Sequence, residues 1–235
     1  MAMSTDAWAN IPRVDPGDHA HLAERVAAAL RSTISGGGAL PGTKLPEVRL
    51  TAQLGVSRHT LRSAFQQLAG EGLVERQPNR GVFVHSPTAE DVREIYRVRR
   101  IVETGALRAA DFSSESIARL QEIVDEAKRA RADVDVPGMG QANQQFHRLI
   151  IAQAHSATLD TLMSQILARM RLVFHTRRNQ PDFHSGYVDS NAQLAELIGQ
   201  GRRQEAENFL IEYLSRAESE LLEHMGKPAE RVTRR

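Results

Sequence analysis

Along the first third of the chain, Leu22, Val26, Ala29, Leu30 and Ile34 recur at three- and four-residue steps, the spacing that lines one face of a helix. Gly36-Gly37-Gly38 follows and stops that helix. "ALPGTKLP" breaks all periodicity with Pro41-Gly42 and Pro46 and reads as a turn segment. "EVRLTAQLG" is a short helix ended by Gly55. "VSRHTLRSAFQQLAGEG" is another, with Ser57 as its N-cap and Leu61, Phe65 and Leu68 as its apolar face. The apolar period then drops from about 3.6 residues to about 2. "LVERQ" and "GVFVH" read as two short strands joined through "PNR" into a hairpin.

Beyond residue 88 no strand pattern returns. "TAEDVREIYRVRRIVETGALRAA", "SSESIARLQEIVDEAKRARAD", "QANQQFHRLIIAQA", "ATLDTLMSQILARMRLVFHTRR", "YVDSNAQLAELIGQG" and "RQEAENFLIEYLSRAESELLEHM" all carry helical periodicity with short breaks between them. They predict an all-α bundle. Helix, short helix, tight turn, helix and hairpin is the order of a winged helix-turn-helix. The expected fold is therefore mainly α: a winged helix-turn-helix over 20–86, then an all-helical domain over 87–226. A flexible arm over 1–19 and a basic tail over 227–235 complete the expected layout.

Composition narrows the class. With 41% hydrophobic and 25% charged residues in 235, the chain has the make-up of a globular protein. Its longest apolar runs, such as "LIIA", are far short of the roughly 20 residues a membrane helix needs. The stretch "MAMSTDAWANIPRVDPGD" lacks the basic start and apolar core of a secretory signal. The absence of cysteine rules out disulfides, thiolate metal sites and Cys nucleophiles. A cytoplasmic protein is expected. The net charge of +1 hides an asymmetry: residues 19–85 hold eight Lys/Arg against four Glu, a surplus of four positive charges. That surplus suits an anionic partner.

The stretch "LPGTKLPEVRLTAQLGVSRHTLRSAFQQLAGEGLVERQPNRGVFV" resembles, in register, the N-terminal domain of GntR-family bacterial transcription regulators. A recognition helix presents its N-terminal residues to base edges in the major groove. Here that end carries Ser57, Arg58, His59, Thr60 and Arg62. Arg58 is the candidate for a bidentate contact to guanine. His59 is assigned to tuning specificity. The resemblance places Arg49, Thr60 and Arg62 at phosphates or bases, and Arg80-Gly81 at a wing tip that approaches the minor groove. The bland alternative for each arginine is a solvated surface charge.

Residues 88–225 resemble the helical ligand-binding domain of the FadR-like subfamily, the FCD domain, through "YRVRRIVETGALRAA", "NQQFHRLIIAQA" and "NAQLAELIGQGRRQEAENFLIEYL". Many members hold a divalent metal there through an Asp and three His. At the matching positions this chain has Asn143, His147, Asn191 and Tyr213. One imidazole with two amides and a phenol is a poor sphere for a divalent cation, so no metal and no other cofactor is expected. The four residues are instead expected to bind a polar small molecule. Arg99 matches a family arginine that faces the pocket and is expected to meet a carboxylate on that molecule. Two bland alternatives stand beside these readings: His147 as a satisfied core histidine, and Arg99 as a salt bridge to Glu103 one turn on. His19, His21, His155, His175 and His184 read as surface or loop residues.

The resemblance implies a ligand-responsive, sequence-specific regulator, more often a repressor, that binds a palindromic double-stranded DNA operator as a homodimer. A carboxylate-bearing effector in the bundle would alter the placement of the two DNA-reading heads. One rival keeps a divalent metal at His147. A remote one is an enzyme with its active site in the bundle, which no hydrolase elbow, phosphate loop or HExxH motif supports. No membrane partner is expected.

Overall fold

A computed structural model describes residues 7–9, 11–14, 21–176 and 181–225. The chain divides into two compact units: Met1–Pro87 with Leu167–Thr176, and Thr88–Ile166 with Arg177–Arg235.

In the first unit, α1 (Leu22–Ser35), α2 (Glu47–Leu54) and α3 (Arg58–Gly70) pack with a small sheet of β1 (Lys44–Leu45), β2 (Val74–Gln77) and β3 (Gly81–Val84). The apolar stripe of α1 is Leu22, Val26, Ala27, Leu30 and Ile34, with Ala27 in place of the expected Ala29. Gly55 closes α2 in the left-handed region at φ 70°, its N–H bonded to the Thr51 carbonyl, a conformation glycine adopts without Cβ strain. The sheet order is β1-β3-β2, antiparallel throughout, with Gln77 opposite Gly81 and Leu45 opposite Val82. The strand β1 falls inside the segment expected to be only a turn. Two residues are too short to show alternation, and it is the pairing with β3 that makes them a strand.

The arm before α1 also departs from expectation. Trp8 is 2% exposed and Ile11 8%, and both join the core that contains Leu30, Leu50, Leu61 and Val84. The Trp8 indole N–H donates to the Lys44 carbonyl at 3.0 Å. A domain of this size buries too little surface for comfort, and an aromatic anchor from the preceding segment adds to its core. Ala168 and Leu172, from the last turns of a helix far along the chain, join the same core. Residues Leu167–Thr176 thus pack with the first unit.

The second unit is helical among its described residues: α4 (Ala89–Ala109), α5 (Ser114–Ala132), α6 (Val136–Ala152), the first turns of α7 (Ala157–His175), α8 (Pro181–Gly199) and α9 (Arg203–Met225). A capping box opens α4, with Thr88 and Asp91 satisfying each other's backbone N–H groups. Two helices begin earlier than the apolar pattern indicated. Asp135 caps α6 through the Gly138 N–H, and Pro137 sits in its first turn, where a missing N–H has no helical partner to lose. The second of them, α8, begins at Pro181. Arg100–Glu218 and Arg108–Glu207 ion pairs tie α4 to α9. No described helix is long and apolar enough to cross a membrane.

Trp8 is the chain's one tryptophan, so its emission reports this unit alone. Replacing it with alanine is expected to destabilise the first unit by about 3–5 kcal/mol. Urea unfolding followed by far-UV circular dichroism should show an early transition that wild type lacks.

Candidate functional site

The N-terminal end of α3 is built by its cap. Ser57 Oγ accepts the Thr60 N–H at 3.0 Å and lies 2.8 Å from Thr60 Oγ1. Leu61, Ala64, Phe65 and Leu68 then turn into the core, which leaves Arg58, His59 and Arg62 exposed. The expected residues are therefore together, but they do different work. The Ser57 and Thr60 hydroxyls are engaged with each other and with the first turn. Arg58 makes no ion pair among the described residues, whereas Arg62 Nε donates to Glu47 of α2 at 3.1 Å. That pair is exposed, worth about 0–1 kcal/mol, so an incoming phosphate can displace it. Arg49 stands exposed on α2.

In the hairpin, Arg80 N–H closes the turn on the Gln77 carbonyl, and Gly81 sits at φ 106°, a conformation that glycine alone adopts freely. The Arg80 guanidinium lies 5.4 Å from the Phe83 ring centroid, and Lys44 Nζ lies 5.8 Å from it. Phe83 thus gathers two cations on one face of the sheet. A groove of about 360 Å³ separates α3 from the hairpin, lined by Glu47, Arg62, Phe65, Arg76, Gln77 and Val82 among others.

The helical unit holds a second constellation, and it is buried. The inward stripe of α4 runs Val92, Ile95, Tyr96, Arg99, Glu103, Ala106 and Leu107. Three polar side chains thus sit on a face that packing would otherwise fill with aliphatics. Arg99 is 2% exposed and Glu103 and His147 are fully buried. Arg99 Nε donates to Glu103 Oε1 at 2.6 Å, and His147 Nδ1 lies 2.7 Å from Glu103 Oε2. Asn143, one turn before His147 on α6, accepts at Oδ1 from Asn191 Nδ2 at 2.9 Å and from the Tyr213 hydroxyl at 3.4 Å. The His147 and Tyr213 rings lie 5.9 Å apart between centroids. Arg99, Asn143, His147, Asn191 and Tyr213 are therefore brought together from α4, α6, α8 and α9, and Glu103 joins them.

Electrostatics follow from burial. Desolvation raises the Glu103 carboxyl, but Arg99 and His147 outweigh it and hold the group at about 2. Glu103 is thus a carboxylate, and a nitrogen 2.7 Å from it must carry a hydrogen. Burial lowers His147 and Arg99 lowers it further, against the pull of Glu103. Its neutral form is then the Nδ1–H tautomer with a lone pair on Nε2. Burial lifts Tyr96 to about 12 and Tyr213 higher still, so both phenols keep their protons.

An imidazole held through Nδ1–H by a carboxylate is oriented as metal-bound histidines are. The donor set around it does not fit a divalent cation. Asn143 Oδ1 already accepts two hydrogen bonds, Tyr213 stays a neutral phenol, and no group of three or more His, Cys, Asp or Glu lies close enough to hold an ion among the described residues.

Several sequence expectations need correcting. Of the alternatives for Arg99, the structure shows the salt bridge to Glu103. The sequence spacing gives Glu103 only that partner, and its second oxygen also fixes His147. His184 is 3% exposed on α8, one turn before the buried Tyr187, and is no surface residue. His175 Nε2 lies 3.0 Å from the Ser35 carbonyl at the end of α1. A helical face carrying Tyr96, Arg99 and Glu103 at steps of three and four was the available signal for most of this network. His19 lies outside the described residues, while His21 and His155 are exposed.

Residues 22–84 match the family model for bacterial regulatory proteins of the gntR family, and residues 94–216 match that of the FCD domain. An uncharacterised HTH-type transcriptional regulator in the TAR-I ttuE-ttuC' intergenic region of Agrobacterium vitis is 30% identical over 146 residues, covering 59% of this chain and 85% of its own. The HTH-type transcriptional repressor RspR of Escherichia coli K12 is 30% identical over 112 residues, covering 47% and 49%. A solved structure of a GntR transcriptional regulator from Rhodococcus sp. RHA1 is 36% identical, covers 86% of this chain and 97% of its own, and superposes with a TM-score of 0.78.

The lowered His147 value has a stability consequence. The unfolded chain protonates this imidazole below about pH 6.5 while the folded chain resists, so the stabilisation it carries is present above that pH and lost as pH falls. Glu103 adds a loss in the same direction, below about pH 4.3. Melting temperature should fall from pH 7 to pH 5, and His147→Gln should flatten that slope, as calorimetry at a series of pH values would show.

Proposed function

The chain belongs to the GntR family of bacterial regulatory proteins and carries an FCD domain; on that footing we propose that it binds a palindromic operator as a homodimer, represses transcription from it, and responds to a small polar molecule in the helical unit. It is a transcription regulator and not an enzyme. The observation that carries the DNA-reading part is the capped start of α3. There Arg58, His59 and Arg62 project into solvent from a turn whose other face is locked in the core.

In this reading Arg58 pairs with a base edge and His59 tunes the sequence preferred. Arg49, Arg62 and Thr60 hold phosphates or bases. Ser57 sets the turn, and Arg80-Gly81 reach the adjacent minor groove. One such module covers only about 600–1,000 Å² of protein surface on DNA, which favours two copies on two half-sites. Repression is supported by the similarity to RspR, described as a repressor.

The effector role falls to Arg99, Asn143, His147, Asn191 and Tyr213. The guanidinium that pointed to a carboxylate-bearing molecule is matched by Glu103, which removes the charge-based argument for an acid. A molecule that binds one conformation of this unit better than another shifts the population toward it. In a dimer whose half-site spacing must match the DNA, that shift changes operator affinity.

Gel-shift titration against genomic fragments at physiological salt tests the reading. One sequence should outcompete nonspecific DNA, and failure of every fragment to do so would remove the operator claim. Arg58→Ala should then weaken specific binding by about 1–3 kcal/mol and relax the preference at one base pair. Arg62→Ala should weaken all sequences alike and lower the slope of log affinity against log salt by about 1.

A further inference from the structure

The buried network in the helical unit leaves polar atoms without partners. Arg99 Nη2, His147 Nε2 and Asn191 Oδ1 are all inaccessible to solvent and make no hydrogen bond among the described residues. Their side chains are 2%, 0% and 3% exposed, and one chain of contacts links them: Arg99 to Glu103, Glu103 to His147, His147 across the Tyr213 ring to Asn143, and Asn143 to Asn191. Buried polar atoms almost always find partners, so a cluster of orphans on one continuous network marks a place for a ligand.

The orphans also specify its chemistry. Arg99 Nη2 is a donor. His147 Nε2 offers a lone pair, because Nδ1 carries the hydrogen toward Glu103, and Asn191 Oδ1 is an acceptor. The complement to one donor and two acceptors is a molecule with oxygens that both accept and donate. The charges balance before anything binds. Arg99 is matched by Glu103, Tyr96, Tyr187 and Tyr213 are protonated phenols, and the next charged groups felt by those phenols, Arg216 and Glu220, are one of each sign. A carboxylate would bring an unmatched negative charge into a desolvated interior, which is strongly unfavourable.

We propose that this site takes a small neutral molecule with several hydroxyl groups, a polyol or uncharged sugar, held by Arg99, His147 and Asn191, and that it rejects the matching carboxylate. The proposal rests on the effector reading above and narrows its ligand class. In this proposal the molecule is admitted by a parting of α4, α6, α8 and α9, whose side chains form the network. The ligand selects that opened form.

The test uses the full chain, with xylitol, sorbitol and myo-inositol against xylonate, gluconate and glucuronate, read by melting temperature and isothermal titration. At least one neutral probe should raise the melting temperature and bind ten-fold or more tighter than its acid counterpart. Asn191→Leu should weaken that binding at least ten-fold. Glu103→Gln, which frees the Arg99 charge and keeps the side chain's shape, should swing the preference at least ten-fold toward the acid. Tighter binding of the acids to wild type, silence across the neutral panel, or no change in preference in Glu103→Gln would each overturn the proposal. Operator binding by the same preparation separates the outcomes. If it persists while the neutral panel is silent, the ligand class is wrong and the regulator reading stands; if it is absent, the regulator reading fails.

Discussion

A guanidinium has been placed inside a helical bundle, and the helical unit is organised around that fact. An arginine cannot shed its proton, so the charge of Arg99 had to be met where it lies. Glu103 meets it from one turn further along the same helix. A carboxylate has two oxygens, and the second one sets the orientation and tautomer of His147 on α6. From there the polar chain continues through Tyr213 and Asn143 to Asn191. Packing this core without that chain would leave a buried charge with no partner, a loss of several kcal/mol. The same pairing that makes burial tolerable leaves the Arg99–Glu103 pair with no net charge, and the proposed preference for neutral ligands rests on it.

The DNA-reading unit answers a different constraint, that of size. Three helices and a small sheet form a slight core, and it is enlarged from both directions in the sequence. Trp8 and Ile11 come from before α1, and Ala168 and Leu172 from α7. Arg171 and His175 of the same α7 turns bond the carbonyl of Ser35 at the end of α1. A firmly packed rear face lets the front of α3 remain polar and exposed, with the Ser57 cap fixing the direction in which Arg58 leaves the helix.

Much of this was legible in the sequence, because helical and two-residue periodicities are local signals. The helices of both units, the Ser57 cap and the hairpin read directly from apolar spacing and turn residues. What stayed hidden depends on partners distant in the chain. Nothing local distinguishes Lys44-Leu45 as a strand or Trp8 as a core residue, since each is defined by what it meets. The opening turns of α6 and α8 lie ahead of the apolar spacing that marks each helix, so both begin before the periodicity does. At the candidate site, Arg99, Asn143, His147, Asn191 and Tyr213 were found because they stand at matching family positions. The role of Glu103 was half seen: its spacing to Arg99 was visible, its hold on His147 was not, because α4 and α6 meet only in the folded chain. That hidden contact sets the tautomer of His147, while the visible Arg99–Glu103 pair is what removes the charge-based argument for an acid.

The measurement closest to this claim is nitrogen NMR of the histidine side chains, with His147→Gln to assign the signal. The account predicts a neutral His147 ring at pH 7, protonated at Nδ1 and bare at Nε2, that takes up its second proton at lower pH than ordinary histidines. A doubly protonated ring at pH 7, or a ring carrying its hydrogen on Nε2, would contradict it.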